Sequence, residues 1–440
     1  MKVYRENIAI LRKKNPELFG RFIMALKNLE DSDDWYRICG IHGNTFKPGD
    51  PGVLCPTDPT TVAELAKTGE PLYCAHSVEP FIAWHVPYLY EFEQLLNYYD
   101  MSIGDNTYIA LPYFDITDDT HDYSFLNEPY ISIHYNNKTH IVKNPLASAY
   151  YYNHDIKTHI IRNGIVQGTT PANRAQLKTI RRQLYDTLHA KTYEEFSSQL
   201  VSVGKTYKPY PYCPLETPHN SIHDLIGGEG GNMGYLEFSA FDPIFWLHHA
   251  NMDRFFYNWL LKHDTTVFSN KSLQSTLAPF TQDVYGWENN TCDFLLLQDV
   301  IDINQYPYKY HSLKLNKIST QSAYIHIIDL PIPPESVAFN AYIYPKTSSE
   351  IDKDMWFAGS VFWFGINRSE RYCRRCECTR TNLPIDVLDF IKEKGICKEN
   401  LDEYEIFIEC KGRLKKGVDK NYITYSIEEL LHDGSIVIDI

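Results

Sequence analysis

The chain has 440 residues, 43% apolar and 22% charged, the balance of a soluble globular protein of two or three average domains. Its formal net charge of −14 argues against nucleic acid or an anionic membrane as partner. No run approaches the ~20 apolar residues of a membrane span, and Met1-Lys2-Val3-Tyr4 lacks the apolar stretch of a secretory signal, so an intracellular location is expected unless the chain is already trimmed.

In chain order, Asn15-Pro16-Glu17 opens a helix with Leu18, Phe22, Leu26 and Leu29 as its buried stripe. Three histidines follow: His42, His76 and His85. Pro80 marks the start of a second helix, striped by Phe81, Trp84, Leu89, Phe92 and Leu96. His76 and His85 are nine residues apart, about half a turn out of phase at ~3.6 residues per turn, so one of them is expected outside the helix. Asp118 to Gly168, rich in Tyr, Asn, His and Asp, has no helical period and reads as a long loop-rich insertion. Ala172 to Leu200 returns to a helical pattern.

The second set of histidines is the sharper signal. His219 and His223 are four apart, one turn along the same helical face, as joint ligation of one ion requires. Asp242-Pro243 then opens a helix, with a capping carboxylate and proline at the first position, that carries His248 and His249. Asp253, one turn after His249, is placed to accept from an imidazole or to pair with an arginine. Two triplets, His42/His76/His85 and His219/His223/His249, could each give three neutral imidazoles to one ion. All-imidazole ligation suits copper, although zinc or iron would also accept it. A single hydrolytic zinc needs three protein ligands and would leave half of these histidines unexplained.

After about residue 310 the pattern changes. Ser322–Ile328, Val337–Tyr344, Ser360–Phe364, Tyr404–Glu409 and Ser435–Ile438 alternate or run apolar between turn residues, a sandwich-like all-β pattern. Cys373-Arg374-Arg375-Cys376 could take soft copper(I). A structural zinc would need four ligands, which Cys378 with Cys397 or Cys410 could complete.

Cys74-Ala75-His76, Phe81 to His85 and Tyr88 to Gln94 resemble the first copper motif of the type-3 copper proteins: tyrosinases, catechol oxidases and molluscan-type haemocyanins. Pro218 to His223 and Asp242 to Arg254 resemble the second. The match runs from about Cys39 to Trp259 with gaps, and its nearest flavour is the fungal-type tyrosinase. The fold expected is mainly α: a helical-bundle binuclear copper domain over residues 1–309, followed by a β-sandwich C-terminal domain over 310–440 that shields it.

The resemblance implies two copper ions, one on His42, His76 and His85 and one on His219, His223 and His249, with His248 not a ligand. It implies dioxygen as co-substrate, small phenols such as tyrosine or DOPA as substrates, and a thioether between Cys74 and His76. Glu216 and Asn220 match a pair that holds a base water in tyrosinases of this kind; haemocyanins of the family can carry a similar pair. Phe245 is expected to pack beside the pocket. Phe364 or Trp363 is the candidate plug by which the C-terminal domain closes the site, with a place in the sandwich core as the other reading of both. Cys373 and Cys376 match a pair thought to deliver copper. A latent tyrosinase is the function implied; a catechol oxidase without the monophenol step and a haemocyanin-like oxygen carrier are the alternatives. Homo-oligomerisation stays open. Val86 stands where an arginine is common after the third histidine, and Phe114 and Ile116 stand where tryptophans are usual.

Overall fold

Helix starts written in the sequence are the ones that form in the computed structural model of the chain. The Asn15 side chain accepts from Leu18 N at 3.2 Å and opens the helix Pro16–Glu30. Pro80 precedes Phe81–Tyr98, and Asp242 accepts from Ile244 N at 3.0 Å to open Pro243–Leu260. The Asn15 and Asp242 side chains each satisfy an amide that the first helical turn leaves without an intrahelical partner. The structure describes residues 2–43, 74, 76, 80–103, 107–153, 156–198, 200–201, 213–281, 294–313, 323–331, 333, 336–365, 380–412, 424–425 and 435–439.

Four helices position the histidines: Asp33–Gly43, Phe81–Tyr98, Glu216–Gly227 and Pro243–Leu260. His76 lies in a turn, which meets the expectation from its spacing. The helices share one hydrophobic core that runs from Ile8 to Tyr310. Trp246 stacks on Phe92 with ring centroids 3.8 Å apart, joining the His249 helix to the His85 helix.

A buried ion network fastens the chain's beginning to the end of this core. Val3–Tyr4 pairs in parallel with Tyr308–Lys309. Arg5, fully buried, reaches Glu93 at 2.7 Å and Asp253 at 3.0 Å, with its guanidinium 3.4 Å from the Tyr308 ring centre. Asp253 also accepts from Tyr308 at 3.0 Å and Tyr310 at 2.7 Å. Of the two partners expected for Asp253, the structure therefore gives it an arginine. Neither Arg5 nor the two tyrosines carried any spacing signal, because the contacts span up to 305 residues of chain.

The expected loop-rich insertion is structured instead. Tyr130–Tyr135 pairs with Lys138–Lys143, and Tyr150–Asn153 with Ile156–His159, as two antiparallel hairpins. Asn136 and Asn137 turn the first hairpin at φ of 52° and 60°, the left-handed pair a tight two-residue turn requires. Ile131 and Ile133 are buried while their neighbours Tyr130, Ser132 and His134 are exposed. Polar and tyrosine residues on the outer face hid the alternation.

The C-terminal sandwich has two four-stranded sheets. One runs Ser435–Asp439, Tyr324–Pro331, Arg380–Asp386, Leu200–Val201; the other runs Phe357–Trp363, Val337–Pro345, Tyr404–Gly412, Thr424–Tyr425. All five expected stretches become strands. Ile325, Ile327, Phe339, Ala341, Leu383, Ile385 and Ile408 fill its core. One edge strand, Leu200–Val201, comes from the helical half. Arg182 on the helix Pro171–Asp186 forks onto Asp386 at 2.9 and 2.7 Å and reaches Asp389 at 2.9 Å, fixing the two halves together. No helix among the described residues is long and apolar enough to cross a membrane.

Candidate metal centre

All six histidines of the two triplets are buried, and their Nε2 atoms face inward in two groups. His42 Nε2 lies 3.2 Å from His76 Nε2. His249 Nε2 lies 3.2 Å from both His219 Nε2 and His223 Nε2. The Nδ1 atoms show which rings turn an Nε2 lone pair toward the centre. His42 Nδ1 donates to Leu236 O at 2.9 Å, His85 Nδ1 to Phe81 O at 2.7 Å, and His223 Nδ1 to Met233 O at 2.8 Å. A carbonyl only accepts, so these three rings carry their proton on Nδ1 and turn a bare lone pair inward. His219 Nδ1 meets Asn220 Oδ1 at 2.8 Å, another acceptor when its amide is so oriented.

His76 and His249 have no hydrogen-bond acceptor on Nδ1 among the described residues, so in the metal-free protein each can donate Nε2–H to its neighbours' lone pairs, and a cation can take that proton's place. Imidazole nitrogens about 2.0–2.1 Å from one ion at tetrahedral angles stand roughly 3.3 Å from each other. The observed spacing fits a metal site, and the all-imidazole donor set suits copper. Burial holds all six imidazoles below their ordinary pKa, His42 and His223 to about 3, because the interior does not solvate an imidazolium. At neutral pH they are unprotonated, the state a metal needs.

The two groups adjoin. His85 and His249 stack with centroids 4.2 Å apart, and His76 and His219 lie at 5.1 Å. Phe245 packs between them, 4.7 Å from His42 and 4.1 Å from His249. His248 is also buried and stacks on His219 at 5.1 Å. Cys74 Sγ sits within the first group, 3.7 Å from His85 Nε2.

Glu216 and Asn220 lie at the rim of the second group. Glu216 is buried, receives a hydrogen bond from the Ser198 hydroxyl, and brings Oε1 to 3.7 Å from His76 Nδ1. Ser198 escaped sequence reasoning, having no motif around it.

Among the described residues, the C-terminal half meets the rings of this centre through Phe364. Phe364 lies 4.6 Å from His223, 5.2 Å from His76 and 6.5 Å from His219. Trp363, its neighbour, points the other way and belongs to the sandwich core. Strand alternation separates the two candidates that the sequence left together. Cys373 and Cys376 lie outside the described residues.

Comparison with known proteins agrees with this geometry. Residues 32–262 match the family model for the common central domain of tyrosinase, more than half of the chain. Tyrosinase of Neurospora crassa is 26% identical over 377 residues, covering 73% of this chain, which itself spans 54% of that protein's length. Hemocyanin A-type, units Ode to Odg, of Enteroctopus dofleini is 26% identical over 328 residues, covering 71% of this chain and 22% of that protein. Recombinant mushroom tyrosinase superposes with a TM-score of 0.67 at 19% identity, over 96% of this chain and 97% of that one, which speaks for the fold. With its two buried histidine groups fitted to two copper ions, the chain belongs to the tyrosinase family of type-3 copper proteins.

Proposed function

We propose that the protein is a tyrosinase that hydroxylates monophenols and oxidises the resulting o-diphenols to o-quinones with dioxygen, and that it is latent while its C-terminal half stays in place. His42, His76 and His85 would hold one copper and His219, His223 and His249 the other; His248 stays out because only the other three share the close Nε2 spacing. The copper pair, when bound, supplies the two-electron exchange with dioxygen that phenol oxidation requires.

The observation that carries this reading is Phe364. An aromatic ring from the sandwich rests against rings of both histidine groups, where an aromatic substrate must lie to react. The same place cannot hold a phenol and Phe364 together, so Phe364 acts as a built-in competitor. Phe245, packed beside His42 and His249, would line that pocket.

Glu216 and Asn220 would orient a water that takes the phenolic proton. A phenol with its ordinary pKa near ~10 is almost wholly protonated at neutral pH, so a held base accelerates the first step. Ser198 donates to Glu216 and fixes the carboxylate's direction. The Cys74 sulfur, in reach of the first histidine group, would form a thioether to His76 and hold that ring, which has no helix to do so. Cys373 and Cys376 would pass copper(I) to the site.

Turnover of tyrosine and of DOPA, measured before and after mild proteolysis, tests the proposal. Oxidation of both after cleavage, with little before, is the expected result. Oxidation of DOPA alone would make the protein a catechol oxidase. Reversible dioxygen binding with negligible turnover of either would make it an oxygen carrier, a reading the two-half build also suits.

A further inference from the structure

One stretch of backbone serves both histidine groups. Leu236 O accepts from His42 in the first group, and Met233 O accepts from His223 in the second. Both carbonyls lie on the segment Gly228 to Asp242, whose far end caps the helix carrying His249. It is seated backbone against backbone on two ligand helices. A Cβ on Gly43, the last residue of the His42 helix, would stand 2.3 Å from Glu237 Cα. A Cβ on Gly227, at the end of the His223 helix, would stand 2.6 Å from Gly234 N. Contact this close passes any displacement of the segment to both helices.

An arginine anchors the far end of the segment. The Arg162 guanidinium forks onto the Asp242 carboxylate, with Nε donating to Oδ2 at 3.0 Å and Nη2 donating to Oδ1. Its remaining donors go to Leu126 O at 2.9 Å, Asn127 Oδ1 at 2.7 Å and Leu146 O at 2.9 Å, all in the core-facing insertion. Next to it, Ile161 N donates to Asn232 Oδ1 at 2.7 Å and Asn232 N donates to Ile161 O at 2.8 Å. Both side chains of the Arg162–Asp242 pair are nearly sealed from water. A planar fork with buried partners sets direction as well as distance.

We propose that Arg162 is a positioning residue for the binuclear centre. Through the Gly228–Asp242 segment it sets the ring orientations of His42 and His223 together, so that the two copper sites form or fail as a pair. This rests on the ligand set proposed above. Groups that orient metal-bound imidazoles typically change metal affinity by about 10- to 100-fold when removed. Because one segment supplies an acceptor to each group, the loss here falls on both ions.

Copper content after equilibration with a graded chelator tests this on the full chain. Arg162→Gln is expected to weaken copper retention by about 10- to 100-fold, with the content falling from two ions toward none and no plateau at one. Asp242→Asn keeps an amide oxygen to cap the helix while removing the charge from the fork, and should act the same way if Arg162→Gln fails to fold. Arg21→Gln breaks another buried ion pair, with Asp100, and should lower thermal stability while leaving both ions bound. Parental copper affinity in both fork variants, or loss of one ion alone, overturns the inference. Fewer than two ions on the unaltered chain would instead overturn the ligand set itself.

Discussion

The two histidine groups are built on the same plan by different means. Each has one ring steered from within its own helix: His85 by Phe81 O, His219 by Asn220. Each has one ring steered by the Gly228–Asp242 segment, His42 and His223. The third ring of each, His76 or His249, has no hydrogen-bond partner on Nδ1 among the described residues. The difference lies in what supports that third ring. His249 rides on a capped helix with its Nε2 equidistant from two partners, whereas His76 sits in a turn beside Cys74. The second group is thus rigid by secondary structure, and the first depends on packing and on the neighbouring sulfur.

The largest expected break in this comparison comes from the third rings. His249→Ala should reduce copper from two ions to about one per chain and abolish phenol oxidation, since three donors are the minimum seen in such sites. His76→Ala should retain part of its copper, because His42 and His85 remain oriented and the Cys74 sulfur stands in the same group as a third donor; metal analysis of the two variants separates the groups.

Removing the plug gives the next effect. Phe364→Ala should raise DOPA oxidation without proteolysis, by about tenfold if the closed state outweighs the open one tenfold. Trp363→Phe keeps the sandwich filled and should leave the latent rate unchanged. Equal rates in the parent chain and Phe364→Ala would remove the plug from the account.

The Arg5 network tests the scaffold common to both groups. Arg5→Met leaves Glu93 and Asp253 buried without their cation and should lower stability by about 3–5 kcal/mol. Denaturant unfolding measures it. That loss should fall on both groups alike, because Glu93 lies on the His85 helix and Asp253 on the His249 helix.

A graded effect follows from pH. In the unfolded chain each histidine takes up a proton near its ordinary pKa of about 6.5. In the folded chain burial delays this for His42 and His223 until about pH 3, and lowers the pKa of the other four as well. The unfolded state therefore binds more protons between these values, and stability rises with pH across that window. Acidifying the metal-free protein below about 6.5 should cost about 1.4 kcal/mol per pH unit for each such histidine. A flat unfolding midpoint from pH 6.5 to 4 would contradict neutral, buried imidazoles.

Much of the centre was legible because its signals are local. The four-residue step from His219 to His223, the Asp242-Pro243 start and the Pro80 start each act within a helical turn, and each is found where the residues place it. The five β stretches were legible for the same reason, as alternation is a property of neighbours. The hairpins of 130–143 and 150–159 were missed because their outward faces carry tyrosines and charges that disguise the period. Arg5, Ser198 and Arg162 were missed because a lone polar residue announces nothing until its distant partner is beside it.

The residues alone determined which imidazoles were available, which helices present them, and that a mainly helical half precedes a β-rich one. Tertiary structure decided which ring nitrogens face inward, that Phe364 rather than Trp363 meets them, and that one arginine and one segment serve both groups. The division is physical. Helix caps and side-chain periodicity are fixed by atoms a few residues apart, whereas the direction of a buried ring is fixed by the acceptor behind it. For His42 that acceptor lies 194 residues along the chain, and only folding brings the two together.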